Sequence, residues 1–109
     1  MKVEYLDLRD KRALVSGGAS GIGSSIVEHL CEQGVEVYFF DINKKEAQKT
    51  LNRIKKKKFK IPNFVECNIK NIKKYKSLIL NIIKKKGPID ILVNNASNDQ
   101  RHSLENITE

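Results

Sequence analysis

Val15-Ser16-Gly17-Gly18-Ala19-Ser20-Gly21-Ile22-Gly23 is the stretch whose reading decides the fold. It follows the short apolar run Ala13-Leu14-Val15 and leads into Ile22, Ile26, Val27, Leu30 and Cys31, which recur at helical spacing. Strand, glycine turn and helix in that order read as the phosphate loop of a dinucleotide-binding unit. Gly17 allows the sharp turn out of the strand, Gly21 lets the backbone approach a pyrophosphate, and Gly23 lets the helix pack tightly against the strand. The pyrophosphate sits at the helix N-terminus, where free N–H groups and the helix dipole favour negative charge. Ser20 and Ile22 lie in the same turn and join it as candidate contacts. The plain alternative is an incidental glycine-rich turn; the flanking strand and helix and a well-placed acidic residue argue against it.

That acidic residue is Asp41, directly after a second apolar strand, Val35-Glu36-Val37-Tyr38-Phe39-Phe40. It lies 18 residues beyond Gly23, close to the ~20 expected of a ribose-binding carboxylate. A carboxylate accepts hydrogen bonds from the ribose hydroxyls of NAD and repels the extra phosphate of NADP. Lys44 and Lys45 lie close enough to soften that repulsion, though solvated first-turn lysines are the simpler reading. The competing reading of Asp41 is a turn or helix N-cap.

Further along, Gly34 stops the first helix. Ala47, Leu51 and Ile54 mark a second helix, ending in Lys55-Lys56-Lys57-Lys58, where cations suit the negative end of the helix dipole. Asn63–Cys67 reads as a third strand. Ile72, Tyr75, Leu78, Ile79, Ile82 and Ile83 give a third helix ended by Gly87-Pro88, and Ile89–Val93 a fourth strand. Strand and helix alternate throughout, which indicates an α/β fold with parallel strands joined by right-handed crossovers. The expected architecture is a Rossmann-type doubly wound sheet of order 3-2-1-4, forming one partial domain over residues 1–109. The first two helices are expected on one face and the third on the other.

Composition excludes several classes. No stretch approaches the ~18 apolar residues of a membrane span. The start, Met1–Asp7, carries acidic residues and no apolar signal core, which reads as non-secreted. Cys31 and Cys67 stand in no metal or redox spacing and fit reduced thiols in a cytoplasm; His29 and His102 are isolated, and no zinc constellation is found. The formal charge of +8 is concentrated in residues 44–86, which hold 15 Lys, Arg53 and only Glu46 and Glu66 as acids. A nucleic-acid surface is the sharp reading of that block. Solvated helix faces in a chain rich in Lys, Asn and Ile are the simpler one, and no nucleic-acid partner is expected.

The chain resembles the N-terminal part of the classical short-chain dehydrogenases/reductases. The residues that carry the resemblance are Ser16–Gly23, Asp41, and Gly87-Pro88-Ile89-Asp90-Ile91-Leu92-Val93-Asn94-Asn95-Ala96, in the right order and spacing. The resemblance implies that Asn94, Asn95 and Ala96 line the adenosine side of the cofactor and stabilise the central sheet. It also implies that Asn68, commonly Asp in the family, accepts from the adenine amino group, with Ile69 beside it. Ser97 replaces a frequent glycine. The loop Asn94–His102, with Val27-Glu28-His29, is similar to the sugar (aldose, xylose-type) 1-dehydrogenases; Arg101 and His102 then border a substrate pocket or are ordinary loop residues.

The family's catalytic Ser and Tyr-x-x-x-Lys pair are not found. Tyr5, Tyr38 and Tyr75 are followed four residues later by Arg9, Ile42 and Ile79. The resemblance thus implies a small alcohol or carbonyl substrate and a homo-oligomer for the full-length protein, with residues 1–109 inactive alone. The approach to another helix, with Thr108 as N-cap, is expected at the end. Two other readings stand beside this one: a standalone nucleotide-binding module without catalysis, and a basic nucleic-acid binder using residues 44–86.

Overall fold

The computed structural model describes residues 8–95. Seven elements alternate: β1 (Arg12–Ser16), α1 (Gly21–Glu32), β2 (Glu36–Asp41), α2 (Lys44–Lys56), β3 (Asn63–Glu66), α3 (Ile72–Lys86) and β4 (Ile91–Asn94). The strands form one parallel sheet in the order β3-β2-β1-β4, as the alternation predicts. Val15 lies between Phe39 on β2 and Val93 on β4.

The side-chain period of two divides the core between two faces. Ala13, Val15, Val37 and Phe39 point to the face covered by α1 and α2, where they meet Val27, Cys31, Ala47 and Ile54. Leu14, Tyr38 and Phe40 point to the opposite face, under Tyr75 and Ile79 of α3. Burial on both faces explains why β1 and β2 read as continuous apolar runs. The Phe39 ring lies 5.3 Å from that of Phe64, and Phe40 meets Tyr75 edge-on at 5.1 Å. Phe39 and Phe40 are fully buried, each worth about 1.5–3 kcal/mol. The helices lie on the expected sides, so the lysines of α2 and those of α3 belong to opposite layers.

Local chemistry fixes the boundaries. α1 ends in paired bonds, Gly34 N–H to the Cys31 carbonyl and Val35 N–H to the Leu30 carbonyl, a Schellman motif. Asn43 and Asn71 cap α2 and α3, accepting from the N–H of Glu46 and of Lys74. Glu28 of α1 accepts from Arg53 Nε at 2.7 Å and from Lys57 Nζ, tying α1 to α2. Those two cations hold the Glu28 carboxyl below its ordinary value against the effect of burial.

The strand ends and one helix residue differ from the sequence reading: β1 and β2 run over Arg12–Ser16 and Glu36–Asp41. β4 starts at Ile91, not Ile89, because Asp90 is held by Arg12: Arg12 N–H donates to Asp90 Oδ2 at 2.9 Å, and Asp90 N–H to the Arg12 carbonyl at 2.8 Å. β3 ends at Glu66, although Cys67 N–H still reaches the Asp41 carbonyl at 3.0 Å. Ile22 leaves the apolar stripe of α1 and is 74% exposed, since the first turn of α1 faces the open end of the sheet. On the α3 side a 240 Å³ groove lies open, lined by Leu14, Ile79, Leu80, Ile83, Ile89 and Leu92 with Lys76 at its rim.

Candidate functional site

β1 is the strand from which the chain winds one way to β2 and beside which it returns as β4. The gap beyond the ends of β1 and β4 is therefore the topological switch point, where open α/β sheets form their binding crevice. The Gly17–Gly21 loop, Asp41, Asn94 and Asn95 all lie at this end of the sheet.

The loop leaves β1 through Gly17, whose φ of 68° is a left-handed conformation open to glycine without penalty. Gly17 N–H donates to the Phe40 carbonyl at 2.7 Å, pinning the turn to the end of β2. At Gly23 the constraint is space: a Cβ there would lie 1.9 Å from the Gly17 carbonyl oxygen and 2.7 Å from Asn95 Nδ2. A Cβ on Gly21 would meet nothing within 4 Å, so the surface over Gly21 is open to a ligand. Gly18, given no separate job in the sequence reading, packs where a Cβ would come within 2.6 Å of Phe39 Cβ.

The N-terminus of α1 differs from its counterparts. Its N-cap, Ser20, makes no side-chain cap bond, and, as in α3, no acidic residue lies in the first turn. The opening N–H groups of a helix have no acceptor within it, and here no side chain serves as their cap. The exposed Ile22 sits in the same turn.

Asp41 is half-buried at the end of β2. Its Oδ2 accepts the Ala19 N–H at 3.1 Å and its Oδ1 the Asn43 N–H at 2.9 Å. The N-cap of α2 is Asn43, so the cap reading of Asp41 gives way to a turn bond plus a bond to the glycine loop. Each carboxylate oxygen has two lone-pair sites, so both can still accept from a ligand hydroxyl. Lys44 points away toward Glu66, at 4.0 Å.

Behind the loop, Ser16 organises the end of β4. Its hydroxyl donates to Asn94 Oδ1 at 2.9 Å and accepts the Asn95 N–H at 3.1 Å. Asn95 Nδ2 donates to the Gly17 carbonyl at 3.3 Å. The two asparagines thus connect β4 to β1 and to the loop. Tyr75, buried on the α3 side near Ser16, has its hydroxyl pushed up to about 12 by burial. Ser16 and Thr50, whose hydroxyl reaches the Ala19 carbonyl, are not singled out by the sequence reading. Long-range bonds from small hydroxyls leave no pattern in sequence.

Asn68 is exposed, and its Oδ1 accepts the Lys70 N–H at 3.0 Å, leaving one lone-pair site. Ile69 is packed against the α3-side core. Ala96, Ser97, Arg101, His102 and Thr108 lie outside the described residues. The thiols are not poised for reaction: burial, with the nearby Glu28 charge, pushes Cys31 up to about 12, and burial raises Cys67. Among the described residues no cluster of His, Cys, Asp or Glu could hold a metal, and no helix is long and apolar enough to cross a membrane.

The crevice therefore sets the uncapped N–H groups of α1 beside an oriented carboxylate, with an open approach over Gly21. Comparison with known proteins gives the same frame. Residues 11–109 match the short chain dehydrogenase family model. The chain is 34% identical to the "Probable galactose dehydrogenase" of Rhizobium meliloti, over 97% of this chain and 41% of that protein. It is 34% identical to the D-xylose 1-dehydrogenase of Caulobacter vibrioides, over 95% of this chain and 40% of that protein. The solved aldohexose dehydrogenase of Thermoplasma acidophilum superposes with a TM-score of 0.69 and 33% identity, over 85% of this chain and 32% of that one. The chain spans about 40% of the length of the curated relatives it matches. It belongs to the short-chain dehydrogenase family.

Proposed function

We propose that this chain is the NAD-binding N-terminal portion of an oxidoreductase that interconverts an alcohol and a carbonyl, the alcohol being a sugar hydroxyl. The observation that carries the reading is the Asp41 carboxylate, bonded to the glycine loop and set beside the uncapped N-terminus of α1. In this reading Gly21, Ile22 and Gly23 offer backbone N–H groups to the pyrophosphate, with Gly17 and Ser20 shaping the turn. Asp41 accepts the adenosine ribose hydroxyls. Asn68 and Ile69 border the adenine, and Asn94, Asn95 and Ala96 border the ribose from the β4 side. When bound, the nicotinamide supplies the hydride acceptor or donor; the residues of this chain hold and orient the dinucleotide.

NAD is favoured over NADP by charge. Asp41 sets a carboxylate where NADP carries its extra phosphate, and neither Ala19 nor Ser20 brings a cation to the loop. The sugar substrate is supported by the activities named for the galactose, D-xylose and aldohexose relatives. The family's acid/base pair is absent from residues 1–109, so catalysis requires further chain.

Calorimetric titration with NAD and NADP tests the cofactor assignment. The expected result is NAD binding at least about ten-fold tighter, the worth of roughly one charge-assisted contact. Equal or tighter NADP binding contradicts it. Purified 1–109 is expected to oxidise no sugar in the presence of NAD, and measurable turnover would refute that expectation.

A further inference from the structure

Thr50 is a fully buried polar residue on α2, 1% exposed. A helical threonine commonly turns its hydroxyl onto the backbone of its own helix. Here the Thr50 hydroxyl donates instead to the Ala19 carbonyl, 31 residues away in sequence, at 2.7 Å. Ala19 is buried in the glycine-rich loop, 2% exposed, and its N–H donates to Asp41 Oδ2. Both backbone polar groups of Ala19 are therefore held, one by the end of β2 and one by α2.

These bonds close a circuit. Asp41 Oδ1 accepts the Asn43 N–H at 2.9 Å, and Asn43 caps α2 by accepting the Glu46 N–H at 3.0 Å. α2 carries Thr50, and Thr50 returns to Ala19. Two backbone N–H groups at fixed positions set the plane of the Asp41 carboxylate and the direction of its remaining lone pairs. One of those two groups stays in place only while Ala19 does.

We propose that Thr50 is a positioning residue for the ribose end of the cofactor site, fixing Ala19 so that the Asp41 carboxylate faces the adenosine ribose hydroxyls. Thr50 is buried and acts through Ala19 and Asp41 without touching the ligand. The inference rests on the NAD-binding reading above. It makes the second helix, which offers no group of its own to the ligand, a determinant of ribose recognition.

The test uses Thr50→Val, which keeps the shape and removes the donor, and Thr50→Ser, which keeps the donor. NAD affinity is measured by calorimetry in the wild-type and Asp41→Ala backgrounds. Amide hydrogen exchange of Ala19 is followed without ligand. Thr50→Val is expected to weaken NAD binding about five-fold, the worth of one hydrogen bond, and to speed Ala19 exchange by a similar factor. Thr50→Ser is expected to leave both within about two-fold. In the Asp41→Ala background Thr50→Val is expected to cost nothing further, since coupled residues are non-additive.

An equal loss in both backgrounds, an equal loss in Thr50→Ser, or unchanged Ala19 exchange overturns the proposal. Should Thr50→Val not fold, Thr50→Ala takes its place; if neither folds, the hydroxyl serves the fold and not the site, and the proposal fails. If the wild-type chain binds no NAD, the cofactor reading fails separately, and unchanged Ala19 exchange in Thr50→Val still refutes the clamp.

Discussion

Asp41 Oδ2 accepts the N–H of Ala19 at 3.1 Å, so the carboxylate that ends β2 is bonded directly to the glycine-rich loop between β1 and α1. The proposed ribose-reading group and the proposed phosphate-binding turn are thereby joined in one unit. Asp41→Ala removes the charge and strands two backbone N–H groups, Ala19 and Asn43. The expected result is an NAD affinity lower by at least about ten-fold, with NADP affinity less affected, because the repulsion disappears with the carboxylate. Paired calorimetric titrations check this.

Gly23 and Gly21 separate packing from access. Gly23→Ala drives a methyl into the Gly17 carbonyl and Asn95, an overpacking expected to cost about 1–3 kcal/mol. Gly21→Ala meets open space but must hold a φ of 60°, expected to cost about 1–2 kcal/mol. Both are expected to lose NAD binding, and only Gly23→Ala to disturb the Asn95 bond. Thermal unfolding and the Asn95 resonances distinguish the two; an unchanged midpoint for Gly23→Ala would sink the packing argument.

Ser16→Ala leaves the Asn95 N–H and Asn94 Oδ1 without their shared partner. The expected loss is about 1–3 kcal/mol of stability. Amide exchange should quicken at Asn95 more than in the middle of β1. Uniform acceleration across the sheet would mean that Ser16 serves the core and not the crevice.

Alkaline pH is expected to unfold the chain through its buried acids. Cys31 is raised from 9.0 to about 12 and Tyr75 from 10.0 to about 12, both by burial first. In the unfolded chain these groups lose their protons at ordinary values, while the fold keeps them protonated. Their stabilisation is complete below about pH 9 and lost as pH rises toward about 12. Melting temperatures measured from pH 8 to 11 should fall, and Cys31→Ala should fall less steeply. Parallel slopes would assign the loss to other groups.

Most of the fold was legible because it rests on period and punctuation. The apolar runs at Ala13–Val15 and Val35–Phe40, the helical spacing of Val27, Cys31, Ala47 and Ile54, and the stop at Gly34 each follow from local rules. The glycines and Asp41 stood out because their spacing matches that of a dinucleotide-binding turn. The edges were less so: β4 begins two residues late because Asp90 bonds Arg12 across the sheet, a tertiary bond that no window of sequence contains. Ile22 carried the spacing of a core residue yet stands exposed, because periodicity does not say where a helix outruns its sheet. Thr50 escaped notice, and Ser16 was read only as part of the glycine stretch, because their partners lie 31 or more residues away; Tyr75 was read in the apolar spacing of the third helix, and it is buried there.

The most direct test of the account is an amide NMR titration of the chain with NAD. The largest shifts are expected at Gly21, Ile22 and Gly23 at the start of α1, then at Ala19, Asp41 and Asn95, with the α3 lysines unmoved. A folded chain whose spectrum NAD leaves unchanged, or shifts confined to the α3 lysines, would contradict the claim that this crevice binds a dinucleotide.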